Sequence, residues 1–300
     1  MHNLAQLTTE GVNPATADID TRSTLEIVEL INAEDRSVAE AVQRELPAIA
    51  AAIDLIVARL AQRGRLIYVG AGTSGRIAAI DAAECGPTYS AGPDQVTAVL
   101  AGGERAMLRA SEGAEDDAAA GAGEMATLNV GPNDVVVGVA ASGRTPFVLG
   151  ALEEARRRGA ATVGVVNNAA TPIEAAADVG IAVVTGPEVI SGSTRMKAGT
   201  AQKMVLNMLT TATFIQLGKV HGNLMVDVVA GNAKLRDRAR RILIRATGVD
   251  DATAGDALAA ANGSVKVALV SLLAGVDATE AARRLTVANG YVRRAVHLSA

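Results

Sequence analysis

Five short runs of aliphatic and β-branched residues, Leu66 to Val69, Val96 to Leu100, Val135 to Val139, Thr162 to Val166 and Gly180 to Val184, alternate with Ala-rich stretches of helical periodicity. That alternation predicts an α/β fold built on a doubly wound parallel sheet with flanking helices. Ligands of such sheets sit beyond the carboxyl ends of the strands, and three small-polar loops lie there. The loops are GAGTSGR from Gly70, ASGRT from Ala141 and ISGSTRMK from Ile190.

The first loop carries the strongest local signal. Gly70, Gly72 and Gly75 let the backbone turn sharply out of a strand, and Thr73 and Ser74 place hydroxyls and amide donors at a helix N-terminus, where an anion is stabilised. The turn lacks the lysine of a GxxxxGK[ST] loop. Its GxGxxG spacing fits a dinucleotide site only with an acidic ribose partner about 20 residues on, and none is evident after Gly75. Any single loop of this kind can be a plain strand-to-helix turn, but three together suit a phosphate, whose free oxygens take donors from several strand ends. The candidate phosphate and sugar ligands are Gly72, Thr73, Ser74, Ser142, Gly143, Thr145, Ser193 and Thr194, and a sugar phosphate fits them better than NAD.

Composition narrows the remaining classes. A 300-residue chain with 49% hydrophobic and 20% charged residues can bury a large core. A net charge of −4, no Trp and two Phe give neither a basic face nor stacking platforms for nucleic acid. No run of about 18 apolar residues reads as a membrane span, the first residues lack the build of a signal peptide, and the cytoplasm is the expected location. One cysteine, Cys85, and three scattered histidines, His2, His221 and His297, form no metal-ligand spacing, so catalysis without a metal is expected.

Helical spacing also runs from Leu25 to Leu30, with Ser23 or Thr24 as cap, and from Val38 to Leu60. A long helix is expected from about Met196 to Gln216, its methionines filling packing gaps, and another ends at Gly248. Beyond it, three short helices punctuated by Gly263, Gly275 and Asp277 make a small C-terminal helical domain, 248–300, after a main domain of residues 1–247.

Two glutamates bear on chemistry. Glu84, in IDAAECGPTYS, stands where a helix ends against Gly86 and Pro87, and the negative end of a helix raises a carboxyl pKa toward that of a general acid. Glu115 belongs to SEGAEDD, where Glu112, Glu115 and Asp116 crowd like charges at helical spacing and push at least one pKa upward. An exposed helix-end carboxylate and a solvated acidic turn are the ordinary alternatives. Elsewhere, Lys197 reads as a solvated first-turn lysine or a ligand for phosphate or carboxylate, and His221 as a packed side chain or a ring-opening acid. Cys85 reads as a small buried filler, and Arg76 and Arg144 as ligands or salt-bridged scaffold.

The segments LTTEGVNPATADIDTRST, GAGTSGR, IDAAECGPTYS, AGGERAMLRASEGAEDD, ASGRTPFVLGAL, EVISGSTRMKAGTAQKMVLNML and GNLMVDVVAGNAKLRDRARRI, in order along nearly the whole chain, resemble the N-acetylmuramic acid 6-phosphate etherase family. The resemblance implies a sheet domain of the sugar isomerase (SIS) type. It also implies a lyase that opens the C3 lactyl ether of N-acetylmuramic acid 6-phosphate, giving N-acetylglucosamine 6-phosphate and D-lactate during cell-wall recycling. Glu84 matches the family's proton donor and Glu115 its second catalytic carboxylate, with Glu112 added to the sugar-binding set. No metal or redox cofactor is implied. The related glucokinase regulatory protein resembles the chain at the first loop and EGAEDD but not at Glu84, which leaves a phosphosugar-binding regulator as one alternative and an aldose–ketose isomerase as another.

Ten residues of helix separate Ser74 from Glu84, about 15 Å at 1.5 Å per residue. Either the helix breaks early, or Glu84 serves the pocket of a second subunit in a homodimer with shared sites.

Overall fold

All five expected strands form, and they pair in parallel in the order β2-β1-β3-β4-β5. The computed structural model describes residues 7–109, 111, 113–228 and 233–298. In chain order, α1 (Thr24–Arg44) and α2 (Leu46–Leu60) precede β1 (Leu66–Gly70), α3 (Gly72–Tyr89), β2 (Val96–Leu100), α4 (Ala118–Thr127), β3 (Val135–Ala140), α5 (Pro146–Arg157), β4 (Ala161–Val166), α6 (Pro172–Ala176), β5 (Val179–Ala182) and α7 (Lys197–Gln216). A two-stranded ribbon, β6 (Val220–His221) and β7 (Leu224–Met225), leads to α8 (Ala233–Thr247), α9 (Asp251–Ala260), α10 (Val265–Ala274), α11 (Ala278–Val287) and α12 (Val292–Val296). The chain divides into two compact units, Met1–Ala83 with Asp94–Thr210, and Glu84–Pro93 with Thr211–Ala300.

In the first unit β1 lies between β2 and β3, with Leu66 opposite Val96 and Val135. Every residue of β1, β3 and β4 is buried, which is why these strands read as unbroken apolar runs rather than as alternating ones. The step from β1 to β2 runs one way along the sheet and the steps from β2 to β3, β4 and β5 run the other. Right-handed crossovers therefore put α3 on one face and α4, α5 and α6 on the opposite face. The core agrees: Ile67, Val69 and Val136 pack with Met125 of α4, Phe147, Val148 and Leu152 of α5, and Ile173 of α6. Tyr68, between Ile67 and Val69, points the other way and donates its hydroxyl proton to Asp81 of α3 at 2.9 Å.

Local sequence accounts for the helix ends. Ser23 and Glu26 form a reciprocal capping box that starts α1, settling the choice of cap on Ser23. The helical spacing from Val38 to Leu60 is shared by two helices, because Pro47 in the first turn of α2 cannot continue an α-helix from Arg44.

In the second unit, Asp250, Ser264 and Asp277 cap α9, α10 and α11 through backbone N–H groups three residues on. Four helices follow Gly248 instead of three; Asn289 and Gly290, both at positive φ, turn the chain before α12. The apolar cluster of this unit reaches back through Ile242 and Leu243 of α8 to Val226 and joins them to Ala254, Leu269, Ala281 and Val292. It thus begins before residue 248, since the inner face of α8 needs the same cover. Among the described residues no single helix is long and apolar enough to cross a membrane; α9 and α10 pass only as a pair, bent by 114°.

Helices α4 and α5 approach so closely that glycine is required at the contact. A Cβ on Gly121 would lie 1.9 Å from the Phe147 carbonyl oxygen, and one on Gly150 2.0 Å from that of Ala118. Gly150→Ala would gain up to about 1 kcal/mol of helix propensity, but it forces the helices apart at a typical overpacking cost of about 1–3 kcal/mol. A thermal melt of G150A a few degrees below wild type is the expected result; an unchanged or higher Tm would contradict this packing.

Candidate functional site

The first loop owes its shape to two glycines that pack on each other. A Cβ on Gly75 would meet Leu100 Cδ1 at 2.0 Å and the Gly70 carbonyl oxygen at 2.8 Å, so the first turn of α3 rests directly on the end of β1. The GxGxxG spacing is therefore a packing requirement. Gly72 takes φ +53°, Ser74 is buried and Thr73 half-buried. The amides of Gly72, Thr73 and Ser74 precede the first backbone bonds of an 18-residue helix, and among the described residues no side chain caps them. An anion is stabilised at such an end.

The second loop leaves β3 beside β1. Ser142 Oγ accepts the Arg144 N–H at 3.2 Å, and Thr145 precedes α5, its carbonyl taking the N–H groups of Val148 and Leu149. Gly143 is buried, with φ +67°, and a Cβ there would run into Thr171 at 2.5 Å. Its carbonyl accepts the Ile173 N–H at 3.1 Å. Gly143 thus locks the loop against the start of α6.

The third loop is held from inside. Ser193 N–H bonds to Ile190 O at 3.0 Å, and Thr194 N–H to Gly192 O at 3.1 Å. Glu188, 1% exposed, accepts the first amides of α7 with both oxygens, from Lys197 at 2.9 Å and Ala198 at 3.0 Å. A protein carboxylate therefore occupies this helix N-terminus, and Ser193 and Thr194, both half-buried, offer hydroxyls rather than an amide cradle. Lys197 is neither solvated nor turned to a ligand. Its side chain is 3% exposed and its Nζ lies 2.6 Å from Glu34 of α1, as burial of an ammonium demands.

All three loops meet at the start of α7. A Cβ on Gly199 would lie 3.5 Å from Thr73 Cγ2 and 3.7 Å from Thr194 O, which puts the first and third loops side by side. One turn on, Gln202 donates to Asn167 Oδ1 at 2.9 Å, while the Asn167 N–H bonds to Ala141 O at 3.1 Å and its Nδ2 to Val183 O at 3.0 Å. The root of the second loop is tied in by that chain.

Glu115 joins the first loop. It shares a cavity of about 210 Å³ with Gly72, Arg76, Ser111 and Gly113, small beside the roughly 300–1,000 Å³ typical of ligand pockets. Arg76 forms no ion pair among the described residues; it donates instead to the carbonyls of Ala106, Met107 and Arg109 and so braces the turn that follows β2. Glu84 is exposed and belongs to the second unit, on a helix α3 that continues unbroken past it to Tyr89, which removes an early helix break from the alternatives. Glu112 lies outside the described residues. Cys85 is buried, as a filler should be. His221, on β6, is half-buried; burial and then the charge of Arg293 lower its pKa below the usual histidine value, which keeps it neutral at pH 7. Sequence reasoning missed Glu188, Gln202, Asn167 and Asn168. The asparagine pair directly follows β4, a strand end in line with the three loops, and that position was the available signal.

Residues 48–156 match the glucokinase regulatory protein N-terminal SIS domain, and residues 117–212 the SIS domain. Three proteins named N-acetylmuramic acid 6-phosphate etherase are similar over nearly the full chain. That of Streptomyces avermitilis is 54% identical, covering 98% of this chain and 94% of its own. That of Symbiobacterium thermophilum is 60% identical over 91% of each chain, and that of Mycolicibacterium smegmatis 52% identical over 98% of this chain and 99% of its own. The chain belongs to the N-acetylmuramic acid 6-phosphate etherase family. It is an enzyme of SIS type, and the five-stranded sheet with helices on both faces is the expected fold.

In this etherase family member the helix that opens on the first loop is pinned by a buried carboxyl. Asp81 accepts from Tyr68 at 2.9 Å and from Thr210 of α7 at 3.3 Å, and burial raises its pKa, the two hydrogen bonds opposing the rise. A raised folded-state value favours the protonated form, so this stability is complete below about pH 4, the unfolded range, and is lost as pH rises through the folded value. Asp81→Asn cannot ionise and lacks that slope. Melting both proteins from pH 4 to pH 8 should show Tm shifting in favour of D81N as pH rises; parallel curves would contradict the assignment.

Proposed function

We propose that this chain cleaves the lactyl ether of N-acetylmuramic acid 6-phosphate as a carbon–oxygen lyase, releasing D-lactate and N-acetylglucosamine 6-phosphate. The observation that carries the reading is Glu115 sharing a cavity with Gly72 at the start of α3, in a chain more than half identical to proteins of that name. Phosphate sits on the amides of Gly72 to Ser74, with the hydroxyls of Ser74, Ser142 and Thr145 around it, and Ser193 and Thr194 offer their hydroxyls to the sugar. Glu112 and Gly143 complete the proposed binding set.

An unactivated ether resists direct hydrolysis. With the sugar ring open, the C1 aldehyde acidifies the C2 proton; a base removes it, the C3–O bond breaks, and an acid protonates the departing lactyl oxygen. Water then adds to the unsaturated aldehyde at C3, so the net reaction consumes one water. The steps need two carboxyl groups in opposite protonation states. Glu84 is the acid on the leaving oxygen, and Glu115 the base at C2 or on water.

Glu84 acts in the pocket of a second subunit. Three observations support a homodimer with shared sites: α3 does not break before Glu84, Glu84 is exposed, and α1 buries nothing before Val38 while Leu25 and Val28 stand 66% and 51% exposed. Residues 1–247 carry the proposed catalytic machinery, and α9 to α12, within 248–300, are the proposed helical C-terminal part, which shares its core with α8. The cytoplasm is the proposed place of this work, in amino-sugar catabolism.

Incubation with N-acetylmuramic acid 6-phosphate should release D-lactate. Glu84→Gln should slow that release about 10²- to 10⁴-fold, the span of general acid catalysis, and leave phosphosugar binding intact. Binding without lactate would favour a regulator, and isomerised sugar indifferent to E84Q an isomerase.

A further inference from the structure

The N-terminal segment, which no part of the reaction above uses, is fastened to two of the three loops by buried polar groups. Asn168, 2% exposed, accepts the Thr8 N–H and the Thr8 hydroxyl proton, each at 2.8 Å. Its Nδ2 donates to Thr9 Oγ1 and to Ala141 O, each at 2.9 Å, and Thr9 is 1% exposed. Ala141 begins the second loop. On the other side Ser191 donates to Gly11 O at 3.2 Å and Thr16 to Val189 O at 2.8 Å, both within or beside the third loop. A surface tail would not place saturated amide and hydroxyl groups in the interior; burial of this kind fixes a backbone.

What the fixed turn presents is Glu10. It is exposed, and among the described residues no hydrogen bond or ion pair engages its carboxylate. Its Oε2 stands 3.5 Å from where a Cβ on Gly192 would be, within van der Waals reach of the third loop and next to Ser193. A carboxylate at this place repels phosphate. It is suited to the other half of a phosphosugar, since a carboxylate accepts strong, charge-assisted hydrogen bonds from hydroxyl groups.

We propose that the Thr8–Glu10 turn is a fourth wall of the site and that Glu10 is a specificity-determining residue, accepting hydrogen bonds from the hydroxyls of the sugar while taking no part in phosphate binding. The proposal rests on the phosphosugar reading, and its test separates the two. Calorimetric titration of wild type and Glu10→Gln with N-acetylglucosamine 6-phosphate and with orthophosphate should show the sugar phosphate bound about tenfold more weakly by E10Q and orthophosphate bound equally or more tightly. A merely structural role would weaken both ligands together, and that result overturns the proposal, as does an unchanged affinity for the sugar phosphate. D-lactate release by the wild type is measured alongside. A wild type that releases none yet shows the split between ligands overturns the etherase reading and leaves Glu10 in its role.

Discussion

The reversal of strand order at β1 is the constraint on which the rest of the structure depends. Because β1 connects outward to β2 while β3 connects the other way to β4, right-handed crossovers carry α3 and α5 to opposite faces, and their first turns diverge above the sheet. The crevice between them is fixed by connectivity before any side chain is placed. Close packing then sharpens it: Gly75 seats α3 on the end of β1, and Gly121 and Gly150 draw α4 against α5, which brings the Glu115 turn to the side of the sheet from which α5 starts.

The two long helices whose N-termini meet here are treated in opposite ways. α7 receives a buried protein carboxylate, Glu188, on its first amides, and the ammonium of Lys197 in the same turn is neutralised by Glu34. α3 keeps its first amides uncapped among the described residues and is secured from below by the bond between Asp81 and Tyr68. The electrostatic consequence is directional. An anion entering the crevice meets a helix dipole already satisfied on one side and an open one on the other, and the proposed site follows this polarity, with the phosphate end of a ligand at α3 and its hydroxyl-bearing remainder among side chains.

Much of this was legible in the sequence, for physical reasons that vary from residue to residue. Buried parallel strands leave apolar runs that announce themselves, and all five were placed to within a residue or two. The three loops were visible because small polar residues at strand ends are both turn formers and ligands. Pro47 splitting α1 from α2 and the Asn289–Gly290 turn before α12 are local signals that the periodicity obscured. Glu188, Asn168 and Lys197 were opaque for another reason. Each acts through a contact distant in the chain or defined only by burial: Asn168 meets Thr8 across 160 positions and Lys197 meets Glu34 across 163, and spacing says nothing about such pairs. Glu84 and Glu115 entered through the family resemblance, since a carboxylate at a helix end and an acidic turn are common on any surface.

The central claim is that the two carboxylates acting on one sugar come from different chains. Co-expression of E84Q and E115Q, each inactive alone, tests it through D-lactate release by the mixed dimers. With shared sites in a two-fold dimer, half the dimers are mixed, each holds one intact pair, and about a quarter of wild-type activity returns. If both carboxylates serve the same chain's pocket, no mixed dimer contains an intact pair, and activity no higher than that of the single variants would contradict the account.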